Sequence, residues 1–259
     1  MRAQRGGVDT KRERSKGPAA VFVLSDGIRG HENQSLGIAS WLADFGAFVE
    51  VFRIPRLQSF RRFQSLKVAS RSLVSRDPGR CRRWLLSSGG EDLLGKTERS
   101  VREAELDARN MLFLSAGSST APFCLALAGA LGAKCCTVMT PSVLGVKPFD
   151  LAVVPEHDRP ETSDKVLVTL GAPNRIRPEL LDKAKEELRR RFPPLRQNRW
   201  AFLVGGDDRN YHIGPEWAAV VAEKILEAAE KAGADLYITT SRRTLPETGK
   251  ALDLSLIHI

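Results

Sequence analysis

The chain has 259 residues, of which 42% are hydrophobic and 27% charged, and its formal net charge is +9. It is therefore long and apolar enough to bury one large hydrophobic core or two smaller ones. No secretory signal is predicted, because the basic N-terminus is followed by an apolar run of only four residues at 21–24. No transmembrane helix is predicted either, because Ser, Thr, Gly and Pro interrupt the longest uncharged run, 112–133.

The four cysteines are predicted to be buried and reduced. Cys81, Cys124, Cys135 and Cys136 show no C-x-x-C spacing and lie mostly among apolar residues. This pattern argues against both a disulfide framework and a zinc site. We therefore expect a cytoplasmic protein without a metal ion.

Short β-rich runs alternate along the chain with longer segments of helical character. Strands are predicted at 20–24, 47–52, 111–115, 134–139, 150–154, 165–170, 199–206 and 235–240. Helices are predicted at 33–45, 119–131, 178–191 and 215–231. Strands separated by helices are typical of βαβ units, so the predicted fold class is α/β with parallel sheets.

The chain is predicted to form two domains after a disordered basic tail at 1–18. The first domain spans 19–192, and residues 193–198, which contain two prolines and two amides, form a linker. The second domain, 199–259, opens with a single βαβ unit, although a mononucleotide-binding half needs three strands. We therefore expect a chain that is truncated, or read out of its natural frame, near its C-terminus.

Residues 56–76 contain the pattern of a basic amphipathic helix. Apolar residues recur at every third position with basic residues between them: Leu57, Phe60, Phe63 and Leu66, and Arg56, Arg61, Arg62, Lys67 and Arg71. Such a helix can lie in the headgroup region of an anionic membrane, or it can pack its apolar stripe against the protein core. No nucleic acid partner is expected, because no nucleic-acid-binding module accompanies the segment.

A polar, glycine-rich loop, LSDGIRGHENQSLG at 24–37, follows the first predicted strand. Gly27 and Gly30 are expected to let the chain bend sharply into a helix. Ligands of open α/β sheets bind at the carboxyl edge of the strands, where Asp26 and His31 would project, with His31 as a general base. The alternative is a glycine turn whose polar side chains only cap the helix.

Residues 90–97, GEDLLGKT, match the P-loop pattern GxxxxGK[ST], in which Lys96 would contact the terminal phosphates. The context argues against a phosphate site. Glu91 and Asp92 would lie beside the phosphate, the preceding CRRWLLSS predicts only a weak strand, and no apolar strand ends in a magnesium-binding Asp. We interpret the match as accidental.

Polar residues follow several other predicted strands, in the segments SAGSST, VVPEHDRP, GAPNRIRP, VGGDDRN and TTSRRT. The further candidate cleft or acceptor residues of the first domain are Asn33, Gln34, Gly117, Ser118, Glu156, His157, Asp158 and Asn174. The candidates for binding a diphosphate in the second domain are Gly205, Gly206, Ser241, Arg242, Arg243 and Thr244. Arginine pairs suit phosphate through their fork-shaped, charged donors, and solvated surface charge is the alternative.

These motifs together resemble the mitochondrial-fission (elongated mitochondria) family. The resemblance rests on DGIRGHENQSLG at 26–37, FDLAVVPEHD at 149–158, GAPNRI at 171–176, VGG at 204–206 and TTSRRT at 239–244. It implies a GT-B-like fold, in which two Rossmann-type domains face each other across a cleft. Two features depart from the expected pattern: SAGSST replaces a more basic stretch, and the chain stops before most of the nucleotide-binding domain.

The resemblance further implies a glycosyltransferase that moves a sugar from a nucleoside-diphosphate sugar to a membrane-associated acceptor, without a metal or another cofactor. His31, assisted by Asp26, would deprotonate the acceptor, while Arg242 and Arg243 would stabilise the departing diphosphate. The segment 56–76 would hold the protein peripherally at the inner membrane. The alternatives are a noncatalytic membrane-associated adaptor and a nucleoside-diphosphate-sugar epimerase, although the first strand lacks the GxGxxG of a nicotinamide site.

Overall fold

The computed structural model describes residues 17–55, 73–208 and 210–257. The chain divides into two compact units, residues 1–176 and residues 177–259. Each unit contains its own parallel sheet and its own cluster of buried apolar side chains. The α/β fold class with parallel sheets is therefore confirmed.

The described part of the first unit contains strands β1 to β6 and helices α1 to α4. The strands are β1 Ala20–Ser25, β2 Phe48–Arg53, β3 Met111–Ala116, β4 Lys134–Val138, β5 Leu151–Pro155 and β6 Val166–Thr169. The helices are α1 Arg29–Asp44, α2 Pro78–Ser87, α3 Glu91–Glu103 and α4 Ala121–Leu131. Single 3₁₀ turns lie at Ala108–Asn110 and Glu156–Asp158.

The six strands of the first unit form one parallel sheet in the order β2-β1-β3-β4-β5-β6. The strand order reverses between β1 and β3, because β2 lies on one side of β1 and all later strands lie on the other. Leu24 of β1 is in register with Ser115 of β3, so the loops after these strands emerge side by side. This reversal is the topological switch point at which open α/β sheets bind their ligands.

Helices cover both faces of this sheet. All six residues of β1 are buried, as the continuous apolar run of an inner parallel strand predicts. On one face, Phe22 packs against Phe113 with ring centroids 5.4 Å apart, beneath α2 and α4. On the other face, Val21 and Val23 pack with Ala39 of α1. The sheet is therefore a rigid support for the loops at its carboxyl edge.

The second unit contains three helices and two strands in the described residues. They are α5 Pro178–Arg191, β7 Asn198–Val204, α6 Pro215–Lys231, β8 Ala234–Thr240 and α7 Pro246–Ile257. β7 and β8 pair in parallel along their whole length, from Asn198 opposite Ala234 to Val204 opposite Thr240. The buried cluster of this unit contains Val204, Ala218, Ala222 and Leu252.

The units divide before α5, at residues 176–177, whereas the sequence places the domain boundary after this helix, at 193–198. No residue of α5 is buried, and Leu180 and Leu181 are 49% and 56% exposed. An amphipathic pattern predicts a helix but not the unit to which the helix belongs. The sequence therefore locates α5 but assigns it to the first domain, 19–192, whereas the structure groups it with the second unit.

The predicted weak strand at CRRWLLSS is wrong, because residues 81–87 lie inside α2. Cys81, Trp84 and Leu85 form the buried face of this helix at the spacing of helical turns. Asp77 is the N-cap of this helix, and its carboxylate accepts a hydrogen bond of 2.8 Å from the backbone N–H of Arg80.

Two predictions lie largely outside the described residues: residues 1–16 of the predicted basic tail, 1–18, and residues 56–72 of the predicted amphipathic helix, 56–76. None of the helices in the described ranges combines the length and the apolar composition that crossing a bilayer requires.

Candidate active site

The loop after β1 turns the chain into α1 within residues 26–28. Gly27 has a left-handed backbone with φ of +82°, a conformation that favours glycine. Its N–H donates to Ser25 Oγ at 3.0 Å, so the turn is fixed by local hydrogen bonds. The prediction that Gly30 also forms the bend is wrong, because Gly30 lies in the first turn of α1 without a left-handed backbone. His31 follows it and also belongs to the helix.

His31 and Asp26 form a hydrogen-bonded pair at the carboxyl edge of the sheet. His31 Nδ1 lies 2.9 Å from Asp26 Oδ2, and Asp26 Oδ1 accepts from the N–H of Ile28 at 3.0 Å. The side chain of His31 is 32% exposed and that of Asp26 only 8%. A carboxylate can only accept, so Nδ1 carries the proton and Nε2 is the basic nitrogen of the neutral ring. The carboxylate therefore orients the ring and leaves Nε2 as the nitrogen that can accept a proton, as a general base must.

The loop after β3 contacts the same imidazole ring. A Cβ added at Gly117 would lie 2.5 Å from Cε1 and 2.6 Å from Nδ1 of His31, so only glycine leaves room for the ring. Gly117 also has a φ of +92°. The structure therefore brings Asp26, His31 and Gly117 together at the switch point between β1 and β3.

Other predicted residues of this region organise the loops. Ser118 Oγ accepts from the N–H of Ser142 at 2.8 Å and joins the loop after β3 to the loop after β4. Asn33 is exposed on α1. Gln34 Nε2 donates to Met139 Sδ at 3.3 Å, while its Oε1 is buried and lacks a partner among the described residues.

An ionic group beside the Asp–His pair was not predicted from the sequence. Ser25 Oγ donates to Glu32 Oε1, and Nη2 of Arg53 lies 3.9 Å from the same oxygen. The Arg53 guanidinium covers Gly27, because a Cβ added there would lie 2.5 Å from Nη1. The register of two adjacent parallel strands, which sets Ser25 opposite Arg53, is the signal that would have found this group.

The acidic residues and the histidine after β5 lie further along the edge. Glu156–Asp158 form a 3₁₀ turn, and His157, which is 63% exposed, has its Nε2 3.6 Å from Asp158 Oδ1. β5 is three strands from β1 in the sheet, which corresponds to about 14 Å at the usual spacing. The structure therefore places Glu156, His157 and Asp158 at the same edge but does not join them to His31.

Asn174 shapes its own loop. Its Oδ1 accepts from the N–H of Ile176 at 2.9 Å, and its Nδ2 donates to the carbonyl of Ala172 at 3.4 Å. The Asn174 backbone lies against α1, because a Cβ added at Gly37 would be 2.4 Å from the Asn174 carbonyl oxygen. The hydrogen-bonding atoms of this side chain are thus already engaged within the loop.

In the second unit, the loops after β7 and β8 are joined to each other. Thr244 Oγ1 donates to the carbonyl of Gly205 at 2.6 Å, and the N–H of Asp207 donates to the carbonyl of Arg243 at 3.1 Å. A Cβ added at Gly206 would lie 2.0 Å from the Arg243 carbonyl carbon. The predicted diphosphate-binding loops therefore form one continuous surface at the carboxyl ends of β7 and β8.

The β8 loop is also held by its own hydrogen bonds. Ser241 Oγ accepts from the N–H of Arg243 at 3.1 Å, and the N–H of Ser241 donates to Thr244 Oγ1 at 2.9 Å. Arg242 and Arg243 are exposed. The loop thus presents two guanidinium groups on a fixed backbone turn.

A second Asp–His pair, which sequence reasoning missed, lies in the loop after β7. His212 Nδ1 is 2.6 Å from Asp207 Oδ2, and Asp207 Oδ1 accepts from the N–H of Ile213 at 2.9 Å. The hydrogen bond from Ile213, followed by that from His212, lowers the pKa of Asp207 below its ordinary value. The signal was the spacing of five residues between Asp and His, which repeats that of Asp26 and His31.

Among the described residues, the remaining reactive side chains do not form a site. All four cysteines are buried and unpaired, and burial raises the pKa of Cys136 to about 12. GEDLLGKT contributes to α3 rather than to a phosphate-binding loop, and its Thr97 donates to the carbonyl of Leu93 at 2.8 Å. Within residues 17–55, 73–208 and 210–257, no three potential metal ligands converge.

A parallel sheet with helices on both faces, and with polar loops at its switch point, defines the first unit as a Rossmann-like α/β fold. The family model described as Mitochondrial fission ELM1 matches residues 29–257. The chain therefore belongs to the mitochondrial fission ELM1 family, and the resemblance drawn from the sequence motifs is confirmed.

Comparison with solved structures found a co-structure of S. aureus MnaA with UDP, which is 12% identical in sequence to this chain and has a TM-score of 0.37. The alignment covers 92% of this chain and 65% of that chain, so the present chain spans slightly less than two thirds of its length. No functionally curated protein shows significant similarity to the chain.

Proposed function

We propose that the protein is a glycosyltransferase that moves a sugar from a nucleoside-diphosphate sugar to a hydroxyl group of a membrane-associated acceptor. The observation that carries this proposal is the Asp26–His31 pair at the switch point, with the imidazole supported on Gly117. The pair leaves Nε2 as the basic nitrogen of a partly exposed ring, which is what the removal of a hydroxyl proton requires.

In the proposed reaction, His31 Nε2 takes the proton of the acceptor hydroxyl. The acceptor oxygen then attacks the anomeric carbon of the donor sugar, and the bond from that carbon to the diphosphate oxygen breaks. The nucleoside diphosphate leaves with the electron pair, while the proton remains on His31 beside the Asp26 carboxylate. General base catalysis of this kind contributes about 10²–10⁴-fold.

The second unit would bind the nucleotide sugar. The fixed turn at 241–244 presents Arg242 and Arg243, which can form charge-assisted hydrogen bonds with phosphate oxygens. Their positive charge would stabilise the negative charge that develops on the leaving diphosphate, without a metal ion. The first unit would accordingly bind the acceptor, as the family resemblance implies.

The membrane-associated acceptor is proposed from the basic amphipathic pattern at 56–76. Such a segment would bind an anionic membrane surface through both charge and apolar contact. The acceptor would then be presented to the first unit at that surface.

The test is a transfer assay on the full chain with UDP-, GDP- and CMP-sugars and with acceptor lipids in anionic or neutral vesicles. His31→Ala should lower transfer by at least about 100-fold. Nucleotide-sugar binding, measured by calorimetry, should be nearly unchanged, because the donor is assigned to the other unit. Ser40→Ala is the matched control, because Ser40 lies on the same helix, about 13 Å along its axis from His31.

Three outcomes would contradict the proposal. Equal loss of transfer and of nucleotide binding in His31→Ala would remove the role of His31 as the base. No heat with any nucleotide sugar would favour a noncatalytic adaptor. Conversion of the donor sugar to an epimer without acceptor would favour an epimerase.

A further inference from the structure

The same hydrogen-bonded Asp–His arrangement follows the first strand of each unit. In each, an Asp soon after the strand holds a His five residues later through a contact between Nδ1 and Oδ2, at 2.9 Å for His31 and 2.6 Å for His212. In each, Oδ1 of the Asp accepts a backbone N–H, from Ile28 in the first unit and Ile213 in the second. The two Asp–His pairs therefore have the same local hydrogen-bond geometry.

The loop that carries His212 is held on several sides. The N–H of Asp207 donates to the carbonyl of Arg243, and Thr248 Oγ1 donates to the carbonyl of Ile213 at 2.8 Å. Asp208 Oδ1 accepts from the N–H of Asn210 at 2.7 Å. The backbone beside His212 is therefore fixed against the loop after β8.

The Nε2 of His212 lies beside Gly214, where an added Cβ would be 3.3 Å from it, on a ring that is largely exposed. Its side chain is 67% exposed and that of Asp207 is 31% exposed. With Nδ1 bound to the carboxylate, Nε2–H is the only ring N–H that His212 can offer to an anion. Imidazolium, like guanidinium, makes strong hydrogen bonds to phosphate oxygens.

We propose that His212, held by Asp207, binds the diphosphate of the nucleotide sugar together with Arg242 and Arg243. This inference rests on the proposed function, because it assigns a further donor to the same ligand. His31 and His212 would thus use the same Asp–His arrangement for two purposes. Nε2 would act as a base in the first unit, and Nε2–H would act as a hydrogen-bond donor in the second. The chemical class of the ligand is a phosphate anhydride.

The test uses the full chain and inorganic pyrophosphate as the probe, with UDP as a second ligand and a chelator to remove divalent metals. His212→Gln should weaken pyrophosphate binding about 10-fold or more, the effect of losing one charged hydrogen bond. Asp207→Asn should weaken it in the same direction. Arg199→Gln is the control for net charge, because it removes one positive charge about 16 Å away, near the amino end of β7.

Imidazole ¹H–¹⁵N NMR spectra give an independent measurement. Pyrophosphate should shift the ring resonances of His212 and leave those of His31 unchanged. Tight binding by the unmodified chain with equal affinity in His212→Gln would overturn this inference and leave the proposed function standing. A shift of His31 alone would also overturn it. No binding of pyrophosphate, UDP or any nucleotide sugar by the unmodified chain would overturn both proposals.

Discussion

At the scale of single residues, Gly117 has the most specific role in the candidate active site. Its backbone is left-handed, with φ of +92°, and its α-carbon faces the ring of His31. A side chain at this position would meet both the backbone strain and the imidazole. The position of His31 therefore depends on the absence of a Cβ one strand away.

We expect Gly117→Ala to lower the free energy of unfolding by about 2–4 kcal/mol, because strain and overpacking add. It should also displace the His31 ring and break its hydrogen bond to Asp26. Urea denaturation measures the first effect, and imidazole NMR spectra measure the second. Gly132→Ala is the matched control, since Gly132 has a φ of +71° but no atom within 4 Å of an added Cβ. An intact His31–Asp26 bond in Gly117→Ala would contradict the prediction.

A second residue-scale feature is the ion pair between Arg76 and Asp150. Arg76 Nη2 lies 2.6 Å from Asp150 Oδ2, which also accepts from the N–H of Cys135 at 2.8 Å. Burial opposes the charge of Asp150, but the hydrogen bonds from Arg76 and Cys135 outweigh it and lower the pKa of Asp150. The ionised carboxylate therefore stabilises the folded state.

Because the folded-state pKa of Asp150 is depressed, its contribution is fully present above the unfolded pKa, about 3.9, and is lost as the pH falls through the folded value. We expect Asp150→Asn to lower the free energy of unfolding by about 1–2 kcal/mol at pH 7. The difference should shrink below about pH 4, as urea titrations at several pH values would reveal. Asp164→Asn, at an exposed carboxylate, is the control. A difference that is independent of pH would contradict the assignment.

Candidate site residues could be predicted from the sequence where a motif follows a strand directly. Asp26 and His31 were found in this way, and the structure joins them. The contact between Asp207 and His212 was not predicted, because it depends on a backbone turn that cannot be read from the sequence. The group formed by Glu32 and Arg53 depends on the register of two strands, which composition does not reveal.

At the scale of elements, the strands were predicted well and the intervening helices less well. Inner parallel strands are continuous apolar runs, and β1, with all its residues buried, is the clearest case. α2 and α3 are short helices with largely polar, exposed surfaces, so only a few apolar positions indicate them in the sequence. α6 was predicted with its observed bounds, because Pro215 marks the first turn of an amphipathic stretch.

At the scale of the whole molecule, the two units differ in the size of their cores. The first unit has buried apolar clusters on both faces of its six-stranded sheet, and these include Phe22, Phe113 and Phe123. The described part of the second unit has a two-stranded sheet, and the largest side chain in its buried cluster is Leu252. Apolar burial is the main favourable term in folding, so the second unit should be the less stable one.

We therefore expect urea to unfold the protein in two steps, with the second unit first. The tryptophans allow each step to be assigned, because Trp41 and Trp84 lie in the first unit and Trp200 and Trp217 in the second. A chain with Trp200→Phe and Trp217→Phe should report only the later transition. A chain with Trp41→Phe and Trp84→Phe should report only the earlier one. Because coincident transitions are the mark of a single cooperative unit, identical midpoints in the two variants would show that the units do not unfold separately.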